Sequence, residues 1–275
     1  MSQKVLSQVD ADGNATVMLN RPDVHNAFDP EMVDALAQAL QKLEANPAVR
    51  AVVIAGAGKN FCAGADIEHM KRSARFSRSQ NLENARATAR MLHTLHTLAK
   101  PTIACVRGAA RGGGVGLVAA CDIALAERGA TFRLSEVRLG IIPAMISPYV
   151  IAAMGRHHAR RYLLSGEEFD SAEAFRTGLV HDICEEPELN GLVGRMLAHL
   201  YSSGPDAIAA MKQLMPEVAG RRIDETLVET TAQRIAEIRT TAEAQEGLSA
   251  FLEKRKATWV TPASERGKQK PGKKS

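Results

Sequence analysis

The sequence predicts an α/β protein built on a layered, partly parallel sheet. Three observations carry this: short apolar runs bounded by glycine, helical-period stretches alternating with them, and a mainly helical pattern beyond residue 145. A length of 275 residues suits one large α/β domain with an appended helical segment.

Residues 4–20 alternate loosely between apolar and polar, and ATVMLN runs into a turn at Arg21, Pro22 and Asp23, which predicts an early hairpin. Asp29-Pro30-Glu31 predicts a helix start, since Asp caps free amides, Pro suits the first turn and an acid favours the positive helix end. Met32, Val33, Leu36, Leu40 and Leu43 follow at helical spacing, and the helix should end near Asn46-Pro47. AVVIAG (51–56) and PTIACVRG (101–108) are short and apolar and border glycine, so both predict buried strands; the second follows the helical stretch RATARMLHTLHTLAK. A third strand, DIALAE, is expected at 122–127 after a glycine-rich helix starting near Gly112. The right-handed crossover rule limits how such strands connect. Further helices are expected around 147–164, from an Asp170-x-x-Glu173 capping box, around 188–202, around 205–215, and from 222 to about 257. No fixed-period repeat is found.

Composition narrows the function class. No apolar run approaches the roughly 20 residues that span a bilayer, and MSQKVLSQVDADG lacks the apolar stretch of a secretory signal, so a cytoplasmic protein is expected. Cys62, Cys105, Cys121 and Cys184 are scattered without CxxC pairing, which argues for reduced thiols and against structural zinc. The formal charge of +4 sits in the last eleven residues, where Arg266, Lys268, Lys270, Lys273 and Lys274 face only Glu265. The rest is formally neutral and offers no basic groove, so nucleic acid is an improbable partner, and the tail is expected to be disordered.

Two segments place glycine where chemistry could need exposed backbone: NFCAGAD (60–66) after the first buried strand and GAARGGGVG (108–116) after the second. Glycine lets main-chain N–H groups face a ligand, and a helix N-terminus adds partial positive charge, so two such amides could share one developing oxyanion. Packing alone also produces glycine-rich strand-to-helix turns. The spacing weakens three other readings, the P-loop, the dinucleotide-binding turn and the common serine hydrolase: there is no GxxxxGK[ST], the RGGGVG run lacks the GxGxxG period, and no GxSxG elbow occurs.

LNRPDVHNAFDPEMVDAL, VVIAGAGKNFCAGADIEHM, PTIACVRGAARGGGVGLVAACDIALA, FRLSEVRLGIIPA and EGLSAFLEKRKATW resemble, in order and spacing, successive signatures of the crotonase (enoyl-CoA hydratase/isomerase) superfamily. The similarity covers roughly residues 4–260. It implies an α/β fold with a crotonase-like repeated ββα core over 1–200 and a C-terminal helical trimerisation region over 201–260; the basic tail at 261–275, read from its charge, lies beyond it. A homotrimer or homohexamer is the expected assembly. Acyl-CoA thioesters are the expected substrates, coenzyme A being part of the substrate with no further cofactor and no metal.

The resemblance also assigns roles. Ala65 in FCAGAD and Gly113 in RGGGVG match the two oxyanion-hole amides, which would stabilise a thioester enolate. Glu136 in LSEV matches the carboxylate that handles the proton at the reacting carbons, with Ser135, Leu139, Gly140 and Gly116 as lining of the site. Val24, His25 and Ala27 match the loop along the CoA channel, and Ala63, Asp66 and Ile67 match positions around its adenine end. Phe251 and Lys254 match residues that reach CoA, often across a subunit boundary. Read without the resemblance, Phe251 is an apolar anchor and Lys254 part of a solvated face.

One departure stands out: two-glutamate hydratases carry a second glutamate in the helix after the glycine turn, where this chain has Gly116. Glycine transfers no proton. SEVRLGIIPAMISPYV and ARRYLLSGEEFDSAEAFRTGLVHDI are most similar to bacterial hydratases of the methylglutaconyl-CoA type, where glycine at this position is compatible with hydration. Hydration of a 2-enoyl-CoA, branched in one version, is therefore the first expectation, and isomerisation or decarboxylation on the same enolate site the second. A noncatalytic acyl-CoA- or RNA-binding protein is the alternative of another class. Among other polar residues, His157-His158 fits capping or exposure, His93 and His96 lack a third metal ligand, and Cys62 lacks an activating base. Arg111 is left between CoA phosphate and solvent.

Overall fold

A computed structural model describes residues 3–260. The chain opens with the expected hairpin, strands β1 (Val5–Val9) and β2 (Asn14–Leu19), turned where Asp10 Oδ1 accepts from the amides of Asp12 and Asn14, each at 2.9 Å. A 3₁₀ turn at Pro22–Val24 then leads into helix α1 (Pro30–Ala45), capped as expected by Asp29, whose carboxylate accepts from Met32 N. Its buried face is the predicted set Met32, Val33, Leu36, Leu40 and Leu43.

Strand β3 (Ala51–Gly56), helices α2 (Ile67–Ser73) and α3 (Arg78–Thr97), and strand β4 (Thr102–Val106) follow. A short strand β5 (Ala109–Arg111) feeds helix α4 (Gly113–Ala120), and β6 (Ile123–Glu127) and β7 (Thr131–Arg133) come next. The second half contains α5 (Ser147–Ser165), β8 (Glu168–Asp170), α6 (Ser171–Arg176), β9 (Asp182–Cys184) and α7 (Leu189–Tyr201). It closes with α8 (Pro205–Val218), α9 (Glu225–Arg239) and α10 (Ala242–Leu252).

The main sheet runs β1-β2-β3-β4-β6-β9, antiparallel only between β1 and β2, and a second sheet runs β5-β7-β8. The strand spacing predicted a layered, partly parallel sheet, and the main sheet is parallel at every pairing but one. Parallel strands covered on both faces are apolar throughout. In β3, Val52 and Ile54 join the core beneath α1, α3 and α4, while Val53 and Ala55 join Ile103, Leu125 and the α7 residues Leu189, Leu192 and Val193 on the opposite face. Helix α4 is buried almost all round, as its uniformly apolar GGVGLVAA requires.

Three expectations need correcting. The helix expected from 222 to 257 is two, α9 and α10, because Thr241 breaks the run and caps α10 by accepting from Ala244 N at 3.2 Å. The Asp170 box forms by half: Asp170 Oδ1 accepts from Glu173 N at 2.8 Å, but the Glu173 carboxylate goes to Arg176 and the Tyr162 hydroxyl. The expected helix at 147–164 is present but kinks at Gly155, whose φ of 71° is left-handed. The basic tail lies outside the described residues. Among those residues no helix is long and apolar enough to cross a membrane.

Candidate active site

The two glycine turns meet. Cys62 N donates to Ala109 O at 3.1 Å and Arg111 N donates to Cys62 O at 2.8 Å, a parallel bridge that zips the 60–66 turn onto β5. A third segment joins them: Ala63 N donates to His25 O at 2.9 Å, Phe28 N to Gly64 O at 2.6 Å, and Asp66 N to Phe28 O at 2.8 Å. Gly64 has a φ of +82°, and a Cβ there would lie 2.7 Å from Arg111 O and 3.6 Å from Gly113 N, so glycine is needed for both conformation and space.

Gly64 N donates to Cys62 Sγ at 3.4 Å and Asp66 N to Phe28 O, so the amides on both sides of Ala65 are engaged while that of Ala65 is not. Among the described residues neither Ala65 N nor Gly113 N has a hydrogen-bond acceptor. Gly113 opens α4, so its N–H is one of the free donors of a helix N-terminus.

Glu136 reaches the same place by another route. β7 pairs with β5 in register Arg111↔Arg133, Gly112 N donates to Arg133 O at 2.9 Å, and the chain leaving β7 enters a 3₁₀ turn at Glu136–Leu139. A Cβ on Gly112, whose φ is +46°, would lie 2.8 Å from Glu136 Oε1. Glu136 Oε2 is buried with no partner among the described residues. Burial pushes the Glu136 carboxyl above the ordinary glutamate value of 4.5, opposed only by its own backbone amide. Gly140 ends the turn in the left-handed conformation at φ 72°, sending residues 141–146 over the site.

The result is a cleft of about 1030 Å³ including its open mouth. Of the residues expected at the site, Ala63, Ala65, Gly113, Ser135, Glu136 and Leu139 line it, whereas Gly116 is buried and Gly140 exposed, and neither lines the cleft. Phe28, His69, Met70, Asn84, Thr88, Ile142 and Ile146 line it too and were not expected. Their elements pair over distances in sequence that periodicity does not report.

Gly116 has a definite neighbour. A Cβ there would lie 2.8 Å from Ile146 Cβ and nearer still to its Cγ2, and Ile146 is buried. The space where a side chain would begin at Gly116 is thus filled by a hydrocarbon.

The CoA-channel residues divide. His25 takes a left-handed φ of 53°, its Nδ1 lies 3.0 Å from Asn60 Nδ2, and Val24 beside it is exposed. Ala27 is buried, its carbonyl accepting from Arg21, and Ile67 is exposed. Asp66 is occupied within the chain: Oδ1 caps α2 through His69 N at 2.9 Å, and Oδ2 accepts from Arg21 Nη2 at 2.9 Å, which holds its carboxyl below the usual range against the opposing effect of burial. Phe251 and Lys254 do not line the cleft within one chain.

Asn26, fully buried at φ 58°, is the positioning residue sequence reasoning passed over. Its Nδ2 donates to Ala57 O at 2.9 Å and Asn60 O at 2.8 Å, and its Oδ1 accepts from Arg21 N at 2.9 Å, which pins the 57–61 loop. The available signal was an Asn beside His25, since Asn tolerates the left-handed region. Cys62 braces this turn: its thiol donates to Asn26 O at 3.1 Å, and burial pushes its pKa up to about 12. Arg111 is half-buried and lines the cleft: its Nη2 pairs with Glu168 at 2.6 Å and Thr131 at 2.9 Å, while its Nη1 is buried with no partner among the described residues. Among the described residues no group of three His, Cys, Asp or Glu is placed to hold a metal ion.

Two unengaged amides from adjoining turns, lining one cleft with a half-buried carboxylate whose Oε2 has no partner among the described residues, define a site suited to a carbonyl that becomes an oxyanion. The family model for enoyl-CoA hydratase/isomerase matches residues 11–262. A crotonyl-CoA hydratase of Syntrophomonas wolfei is 31% identical over 249 residues, 90% of this chain and 94% of that one. The 1,2-epoxyphenylacetyl-CoA isomerase of Escherichia coli is 30% identical, covering 93% of this chain and 97% of its own length. The crystal structure of an enoyl-CoA hydratase from Shewanella pealeana superposes with a TM-score of 0.90 at 41% identity, over 93% of this chain and 96% of that one. The chain belongs to the enoyl-CoA hydratase/isomerase family, within the crotonase superfamily.

Proposed function

We propose that this enzyme adds water to a 2-enoyl-CoA through a thioester enolate, with Ala65 N and Gly113 N as oxyanion donors and Glu136 as the proton-transferring group. The observation that carries this reading is the pair of acceptor-free amides beside a buried, unpartnered carboxylate oxygen at one cleft. As water adds to the β-carbon, its proton passes to the Glu136 carboxylate and the alkene electrons move onto the thioester oxygen. Collapse of the enolate takes that proton back at the α-carbon, so one carboxylate serves both halves in sequence. With Gly116 facing Ile146, no side chain from α4 supplies a second acid. Burial suits Glu136 to this cycle, because a raised pKa brings its protonated and ionised forms closer in free energy near neutrality.

The acyl chain we favour is branched, of the methylglutaconyl type, on the likeness in SEVRLGIIPAMISPYV. CoA would run along Val24, His25, Ala27, Ala63, Asp66 and Ile67, with Phe251 and Lys254 serving a neighbouring subunit of a trimer or hexamer. Glu136→Gln should lower kcat for hydration about 10²–10⁴-fold with the fold retained by circular dichroism; near-normal turnover on every accepted enoyl-CoA would remove Glu136 from the mechanism. Isomerisation is the second reading, favoured by Gly116 because a lone carboxylate can shuttle a proton between two carbons. Product mass separates them: hydration adds water, isomerisation adds nothing, and decarboxylation loses carbon dioxide.

A further inference from the structure

The cleft lining is mixed. Leu139, Ile142 and Met145 contribute hydrocarbon, while α2 and α3 contribute His69, Met70, Asn84 and Thr88. Thr88 is satisfied within its own helix, its hydroxyl donating to Asn84 O at 3.3 Å. His69 is not: the residue is 8% exposed, and its Nε2 is buried with no hydrogen-bond partner among the described residues.

The position of this imidazole is fixed. His69 N donates to Asp66 Oδ1 at 2.9 Å, Asp66 is itself held by Arg21, and Phe76 packs edge-on to the ring at 6.0 Å between centroids and 69° between planes. A buried polar atom without a partner is costly, so native proteins rarely leave one. An immobilised ring on the wall of a substrate cleft can recover that cost from the substrate. It stands four residues beyond Ala65, the proposed oxyanion donor, and lines the same cleft.

We infer that His69 is a specificity-determining residue whose ring nitrogen hydrogen-bonds an oxygen on the acyl chain, so that the preferred thioester carries a hydroxyl, carbonyl or carboxylate beyond its reacting carbons. The assignment rests on the acyl-CoA reading of the cleft and not on which reaction follows. A site built to pair a polar group rejects the analogue lacking it far more strongly than an apolar pocket rejects a changed methylene.

The test is calorimetric binding of saturated short-chain acyl-CoAs, each made with a terminal methyl, hydroxyl or carboxylate, to the full-length protein. Wild type should bind an oxygenated member at least about tenfold more tightly than its methyl counterpart. His69→Leu should abolish that preference while still binding the methyl member, and His69→Gln should restore part of it. His69→Met, which fills similar space with a flexible chain, replaces His69→Leu if thermal unfolding shows that variant misfolded. The hydroxyl and carboxylate arms identify which oxygen is taken. Equal binding of methyl and oxygenated members by wild type, as a buried water on Nε2 would produce, overturns the inference; so does a preference unchanged by removing the imidazole. Absence of hydration would defeat the proposed reaction and leave this binding result to stand separately.

Discussion

Glu136 is costly to ionise where it sits, and that cost is visible in folding as well as in chemistry. Its carboxyl is raised by burial, so between the ordinary glutamate value of 4.5 and the higher native value the folded protein holds a proton that the unfolded chain has released. The native state then binds more protons than the unfolded state, and stability falls as pH rises through that window. Below the window both states are protonated and nothing is lost. Glu136→Gln removes the titration, so the difference in unfolding free energy between variant and wild type should move in the variant's favour as pH rises from below 4.5 towards neutrality. Denaturant melts of both proteins across that range measure it, and a constant difference would show that the site does not oppose ionisation. The same residue shows where sequence reading stopped. The family pattern selects Glu136 among the glutamates, but its proximity to Gly112 depends on the pairing of β5 with β7, two strands of three residues each.

At the level of elements, what local chemistry dictates was legible. Asp29 caps α1, AVVIAG is buried on both faces, and the glycine turns follow their strands as read. Missing from that reading were β5, β7, β8 and β9, whose three-residue lengths carry no periodic signal and whose existence rests on partners far along the chain. The division of 222–257 escaped because α9 and α10 have similar composition on either side of Thr240-Thr241. The packing of α4 against the start of α5 was equally invisible, since Gly116 and Ile146 lie thirty residues apart in the sequence. That contact makes a sharp prediction. Gly116→Ala puts a methyl group 2.8 Å from Ile146 Cβ and should destabilise by about 1–3 kcal/mol through overpacking, outweighing the gain in helix propensity. Ile146→Ala alone should cost a similar amount through the cavity it leaves. Because each change relieves part of the other's defect, the double variant should be more stable than the two losses added together. Strict additivity in thermal or urea unfolding would mean that the two side chains do not share this space.

For the whole molecule, the last three helices present an apolar face of their own. α8–α10 tie to the core through Lys212, which pairs with Asp122 at 2.6 Å, and through few buried side chains of their own, Leu227 and Ala250 among them. Phe251 is 80% and Leu252 78% exposed on α10, Ile223 is 83% exposed in the α8–α9 connection, and Val228, Ile235 and Leu248 are also open. Apolar exposure clustered in one region is characteristic of a surface that another protein covers. Lys254, directly after α10, adopts a left-handed φ of 55°, held as its amide donates to Phe251 O at 3.2 Å and that of Arg255 to Ala250 O at 3.0 Å. In the proposed trimer or hexamer, covering this face would bring Phe251 and Lys254 to a neighbour's CoA, so assembly and substrate affinity should fail together. Phe251→Asp with Leu252→Asp should shift light-scattering mass from a multiple of the 29.6 kDa protomer towards the protomer itself. The same variant should raise KM for acyl-CoA more than it lowers kcat, because Ala65, Gly113 and Glu136 all belong to one chain and stay together. A wild-type mass equal to one protomer would separate the two ideas, leaving the cleft intact and removing Phe251 and Lys254 from any role in holding CoA.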